Sequence, residues 1–68
     1  MILVVANFTT GKEIGTIEAN GNRLTGSTPA LQEIADSKLR SLGSYAKALA
    51  ALSKFNNGYL TISPKEGK

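Results

Sequence analysis

The chain has 68 residues, no Cys, no His and a net charge of +3. That length allows one domain. The missing residue types exclude disulfides, thiolate sites and imidazole metal ligands. Hydrophobic residues make up 41% of the chain, and eight of them are alanine, so the large side chains suffice for one modest core. Domains this small usually lean on a disulfide, a metal or a partner chain. The expectation is a marginal monomer, or a subunit that gains stability from assembly. The cations Lys12, Arg23, Lys38, Arg40, Lys47, Lys54, Lys65 and Lys68 are spread along the chain. A nucleic-acid-binding domain would cluster them on one face. The apolar run Ile2 to Val5 is too short for a signal peptide, and no basic residue precedes it. No stretch approaches the ~20 apolar residues of a membrane span, so no membrane partner is expected.

Ile2 to Phe8 is rich in β-branched residues and apolar on both alternating faces. It predicts a strand covered on both sides, or covered by its own core on one side and by a partner on the other. Thr9-Thr10-Gly11-Lys12 is turn chemistry. Glu13 to Ala19 then reads as a second strand, closing a hairpin with the first. Asn20-Gly21-Asn22 is the strongest turn signal in the chain, because Asn-Gly suits a type I′ turn. Arg23-Leu24-Thr25 makes a short third strand before Gly26 breaks it.

From there the period becomes helical. Ser27 or Thr28 supplies an N-cap, and Pro29 suits the first helical position. Leu31, Ile34, Ala35, Leu39 and Leu42 form one apolar stripe. Glu33 and Asp36 lie early in this helix and Lys38 and Arg40 late, a distribution that suits the helix dipole. Gly43 is placed to end it in the left-handed conformation. Ser44 caps a second helix whose stripe is Tyr45, Ala48, Leu49, Leu52 and Phe55, and Asn56-Asn57-Gly58 ends it. Tyr59 to Ile62 alternates as a final strand. The predicted architecture is α+β: a small antiparallel sheet (N-terminal hairpin plus C-terminal strand) packed against a two-helix hairpin, in the order β-β-(β)-α-α-β. Residues 1–62 form the single domain, and residues 63–68 form a polar tail in which Pro64 ends the strand.

The inventory for chemistry is thin. Glu33 and Asp36 share a helix face, but a solvated face explains them, and nothing nearby completes a site. Glu66 lies in the polar tail. Ser37 and Lys38 are adjacent and point to different helix faces, while Ser44, paired with Lys47, is needed as a cap. Gly21 and Gly26 with Ser27 and Thr28 lack the Lys of a phosphate loop. These residues predict no enzyme, no cofactor and no metal. Phe8 and Phe55 read as core. Tyr45 and Tyr59 suit a rim with wet hydroxyls. The apolar first strand is long enough to donate or accept a sheet edge. The candidate partner interface is therefore Leu3, Val5, Tyr45 and Tyr59, serving a partner protein or a homo-oligomer. The two helices joined at Gly43 also allow a helix-turn-helix alternative, with Lys38, Arg40, Lys47 and Lys54 as nucleic-acid contacts. Nucleic acid is the less favoured partner, because the second helix carries two cations and no Arg or Gln to read base edges.

Leu24-Thr25-Gly26-Ser27-Thr28-Pro29-Ala30-Leu31-Gln32, with the Ala-rich helix and Asn57-Gly58-Tyr59-Leu60 after it, resembles small proteins encoded by tailed phages of actinobacteria. The resemblance covers roughly residues 24–62. It implies a minor capsid or capsid-decorating protein, located in the virion, assembled in the host cytoplasm and partnered by the major capsid protein or another virion protein. It brings no catalytic residues. The alternative from another class is a small regulatory DNA- or protein-binding domain made in the infected cell.

Overall fold

The computed structural model describes residues 1–65. The strands are β1 (Ile2–Asn7), β2 (Glu13–Asn20), β3 (Arg23–Gly26) and β4 (Leu60–Pro64), and the helices are α1 (Pro29–Leu42) and α2 (Tyr45–Leu52). The four strands form one antiparallel sheet in the order β3-β2-β1-β4, with both helices between β3 and β4 in sequence. The fold is thus the α+β arrangement that the sequence predicts. β1 is central, paired with β2 on one side and β4 on the other. This corrects the expectation that β1 offers an edge: both rows of its backbone groups are already in ladders.

Alternation along the strands assigns the two faces. Leu3 opposite Ile17, Val5 opposite Ile62 and Ala19 opposite Leu24 are all buried. Leu31 and Ala35 of α1 and Ala48 and Leu52 of α2 complete that core, with Ile34, Leu39, Tyr45, Leu49 and Phe55 packed around it. Leu42 is the one stripe residue of α1 left exposed. Both helices cover the same face of the sheet.

The turns explain where the chain reverses. Asn20 pairs with Arg23, so the two-residue loop is Gly21-Asn22. Gly21 has φ +63 and Asn22 is not in the positive-φ region. That pattern is type II′, with Gly first, rather than the type I′ turn expected from Asn20-Gly21. Thr28, not Ser27, caps α1: its hydroxyl accepts from the Leu31 N–H at 3.2 Å. Ser27 instead continues the pairing with β2, its N–H donating to the Thr16 carbonyl and its hydroxyl accepting from the Thr16 N–H. Gly43 ends α1 at φ 69, as predicted. No acid lies in the first turn of α1, and Arg40 is the base in its last turn. The dipole effect fades within one turn, so the expected contribution of Glu33, Asp36 and Lys38 is lost.

α2 ends at Leu52, so Phe55 lies beyond the helix in which it was expected. The cause is the neighbouring strand. The Ile62 N–H donates to the Phe55 carbonyl and the Asn57 N–H to the Leu60 carbonyl, which draws residues 55–57 alongside β4. β4 runs to Pro64, and the Lys65 N–H donates to the Ile2 carbonyl. β4 therefore ends at Pro64, as the sequence predicts, and its pairing with β1 takes in Ser63 and Pro64 of the expected tail. The remainder of the expected tail, residues 66–68 with Glu66 and Lys68, lies outside the described residues.

One contact sets the distance between the layers. A Cβ on Gly26 would collide with the Gln32 backbone nitrogen and the Leu31 carbonyl carbon at the start of α1. A Cβ on Gly15, in the adjacent strand, would meet the Leu31 and Ser27 side chains. Backbone cannot move aside as a side-chain tip can. Gly26→Ala is expected to destabilise the fold by at least about 1–3 kcal/mol, the usual cost of overpacking, measured by chemical denaturation.

Candidate functional surface

The helices leave the second face of the sheet open. Ile2, Val4 and Ala6 run down its middle on β1. Val4 lies between Thr16 and Ser63, and Ala6 lies between Glu13 and Thr61. Ile2 is opposite Glu18, which is itself opposite Thr25. The result is an aliphatic spine with hydroxyl flanks and a few carboxylates. Ile2 is 40% exposed, and Val4 and Ala6 are partly shielded by their cross-strand neighbours.

Two aromatics extend the surface at one end. Phe8 is 52% exposed and Tyr59 is 78% exposed. They follow β1 and precede β4, and the Phe8 N–H donates to the Tyr59 carbonyl at 2.7 Å. Asparagine side chains shape this end. Asn7 Oδ1 accepts from the Thr9 and Thr10 N–H groups, and Asn57 Oδ1 accepts from the Tyr59 and Leu60 N–H groups. Such short-range bonds replace a ladder where the chain turns. Phe8 was expected in the core. It misses the core because it shares the parity of Ile2, Val4 and Ala6, which face away from the helices, whereas the core positions of β1 are Leu3 and Val5.

The four residues expected to form a partner interface separate. Leu3 and Val5 have 0% exposure, because they lie on the helix-covered face of a central strand. They are core and cannot touch a partner. Tyr45 packs against the core from α2, on the helix side of the sheet. Tyr59 alone stands free. The error came from the face, not the strand: β1 does present apolar groups outward, but they are Ile2 and Val4.

The sheet edges are also occupied. Residues 55–57 lie along β4. Beside β3, the Gln32 side chain accepts from the Gly26 N–H at 2.9 Å and donates to the Leu24 carbonyl at 2.9 Å. Its amide nitrogen also donates to Asp36 Oδ1 at 3.1 Å. An open groove of about 390 Å³ adjoins this edge, lined by Asn22, Arg23, Thr25 and Asp36 among others. Sequence reasoning placed Gln32 in α1 and saw no role for it, since helix spacing says nothing about a strand edge.

The cations proposed for nucleic acid are dispersed in use. Lys38 Nζ sits 5.4 Å from the centre of the Phe55 ring, and Arg40 pairs with Glu33 at 3.1 Å. Both members of that pair are about two-thirds exposed, so it is worth under about 1 kcal/mol. Lys47 and Lys54 are exposed. α2 has eight residues and turns Ala48 and Leu52 into the core. Among the described residues, no three acids come together as a metal cluster. No described helix is long and apolar enough to cross a membrane.

The buried core and the exposed end of the sheet give a direct test. Leu3→Ala is expected to destabilise the fold by about 2–5 kcal/mol, as buried leucine truncations do. Tyr59→Ala, at an exposed site, is expected to stay within about 0.5 kcal/mol of the parent in the same denaturation experiment. Comparison of the chain with protein-family models, with curated proteins and with solved structures finds no match.

Proposed function

We propose that this chain is a non-enzymatic virion accessory protein, a minor capsid or capsid-decorating subunit that binds and stabilises the major capsid shell. The observation that carries this reading is the open sheet face with its aliphatic spine and the exposed Phe8–Tyr59 pair. A helix-covered face is spent on folding, whereas this face is not. Aromatic residues with one wet end are favoured at protein interfaces, and they contribute most of the binding energy where they become buried. The resemblance of residues 24–62 to phage structural proteins supplies the class of partner.

Each subunit offers a small surface, so one contact with the shell is weak. A repeating lattice multiplies the number of such sites, and occupancy of each is set by the free concentration of the chain against its dissociation constant. Binding also stabilises the folded state by mass action, which suits a chain with a core this small.

The test is composition of the particle. Purified virions are expected to contain the chain by mass spectrometry, and a Phe8→Ala/Tyr59→Ala variant is expected to fold yet be depleted from particles by about tenfold or more, the effect of losing roughly 1.4 kcal/mol. Recovery of the parent chain solely from the soluble lysate would instead favour a regulatory role in the infected cell.

A further inference from the structure

Asn is followed by Gly twice in the chain, at Asn20-Gly21 and at Asn57-Gly58. Such a step is chemically labile. The backbone nitrogen of the second residue can attack the carboxamide carbon of the first, and Gly has no side chain to obstruct the approach. The fold treats the two steps differently. At Asn57 both reacting groups are held. The Gly58 N–H donates to Asn56 Oδ1 at 3.0 Å, which turns the nucleophile toward another acceptor. Asn57 Oδ1 accepts from the Tyr59 and Leu60 N–H groups, each at 2.8 Å. The Asn57 N–H donates to the Leu60 carbonyl at 3.2 Å. The Asn57 carboxamide can therefore swing onto Gly58 only by breaking several bonds together. At Asn20 neither group is held. Asn20 and Gly21 are both exposed. Among the described residues, neither the Gly21 N–H nor the Asn20 side chain makes a hydrogen bond. The Asn20 backbone is restrained by its rung with Arg23, the last of the β2–β3 ladder. Terminal rungs open at little cost.

We infer that Asn20 is a site of spontaneous covalent modification in the folded chain, and that Asn56 shields Asn57 from the same reaction. The Gly21 nitrogen attacks Asn20 Cγ. A C–N bond closes a succinimide ring, the Cγ–NH2 bond breaks, and ammonia leaves with the Gly21 amide proton. Water then opens the ring at either carbonyl and is the sole co-reactant. One opening leaves aspartate at position 20, and the other leaves isoaspartate. Either product places a new carboxylate across the strand pair from Arg23. Isoaspartate also adds a methylene group to the main chain beside the Gly21-Asn22 loop, whose two-residue length sets the register of β3. Asn20 lies at the end of β2 remote from Phe8 and Tyr59. The hairpin therefore changes while the aromatic end of the sheet keeps its shape. The inference concerns backbone chemistry and does not require the docking role of the open face.

The test is incubation of the folded full chain in mildly alkaline buffer, followed by tandem mass spectrometry of its peptides. Asn20 is expected to convert at least about tenfold faster than Asn57, since several hydrogen bonds must break at the second step. In concentrated urea the two are expected to convert at similar rates, because Gly follows both. Asn56→Ala in the folded chain is expected to accelerate Asn57 by about fivefold, the loss of one hydrogen bond of ordinary strength, with the rate at Asn20 unchanged. The rate at Asn20 in the same sample reports whether that variant is still folded. Asn56→Asp keeps an acceptor for the Gly58 N–H and is expected to keep Asn57 slow. Equal rates at Asn20 and Asn57 in the folded parent, or a faster rate at Asn57, overturn the inference. A folded Asn56→Ala chain in which Asn57 stays as slow as in the parent overturns the role given to Asn56.

Discussion

The close approach between Gly26 and the first turn of α1 governs how this molecule is assembled. There is no room for a Cβ at Gly26, so the helix backbone sits directly against the end of β3. Gly15 in the adjacent strand clears the space taken by Leu31. Thr28 caps the helix immediately afterwards, which fixes its direction with little intervening chain. From that start, Leu31 and Ala35 fall over the sheet and Gln32 reaches its edge. Two glycines thus decide both the layer spacing and the fate of one strand edge.

That arrangement divides the sheet into spent and unspent surfaces. One face is buried under two helices. One edge is filled by Gln32 and the other by residues 55–57. The remaining face keeps Ile2 and Val4 toward solvent, with Phe8 and Tyr59 at its end. Small proteins have too little polar surface to cover themselves, so scattered exposed apolar groups are ordinary. What distinguishes this face is that the groups lie along one central strand and end in an aromatic pair.

Charge is a minor theme. The +3 net charge is dispersed along the chain. Lys38 packs over Phe55 and so ties α1 to the segment beside β4, while Arg40 engages Glu33 within α1 itself. The carboxylate nearest a structural role is Asp36, which holds an amide rather than a metal or a proton.

The helical run from Pro29, the Gly43 stop and the two-faced apolar character of β1 follow from the sequence alone, whereas the choice of Thr28 over Ser27 as the cap does not. Each depends on groups within a turn or two of one another, or on simple alternation. Local spacing could not say which face of β1 meets the helices, and so Leu3 and Val5 were assigned to a partner that they cannot reach. It also could not say that Phe55 leaves α2 to join β4, or that Gln32 closes β3. Those outcomes rest on how whole elements dock in space: Val5 pairs with Ile62 across the sheet, and Gln32 meets Gly26 only because α1 folds back over β3. The sequence by itself determined the elements and the absence of Cys and His chemistry. Only the tertiary structure decided which surface stays free, because burial is settled by which face reaches the helices and which edge finds a partner.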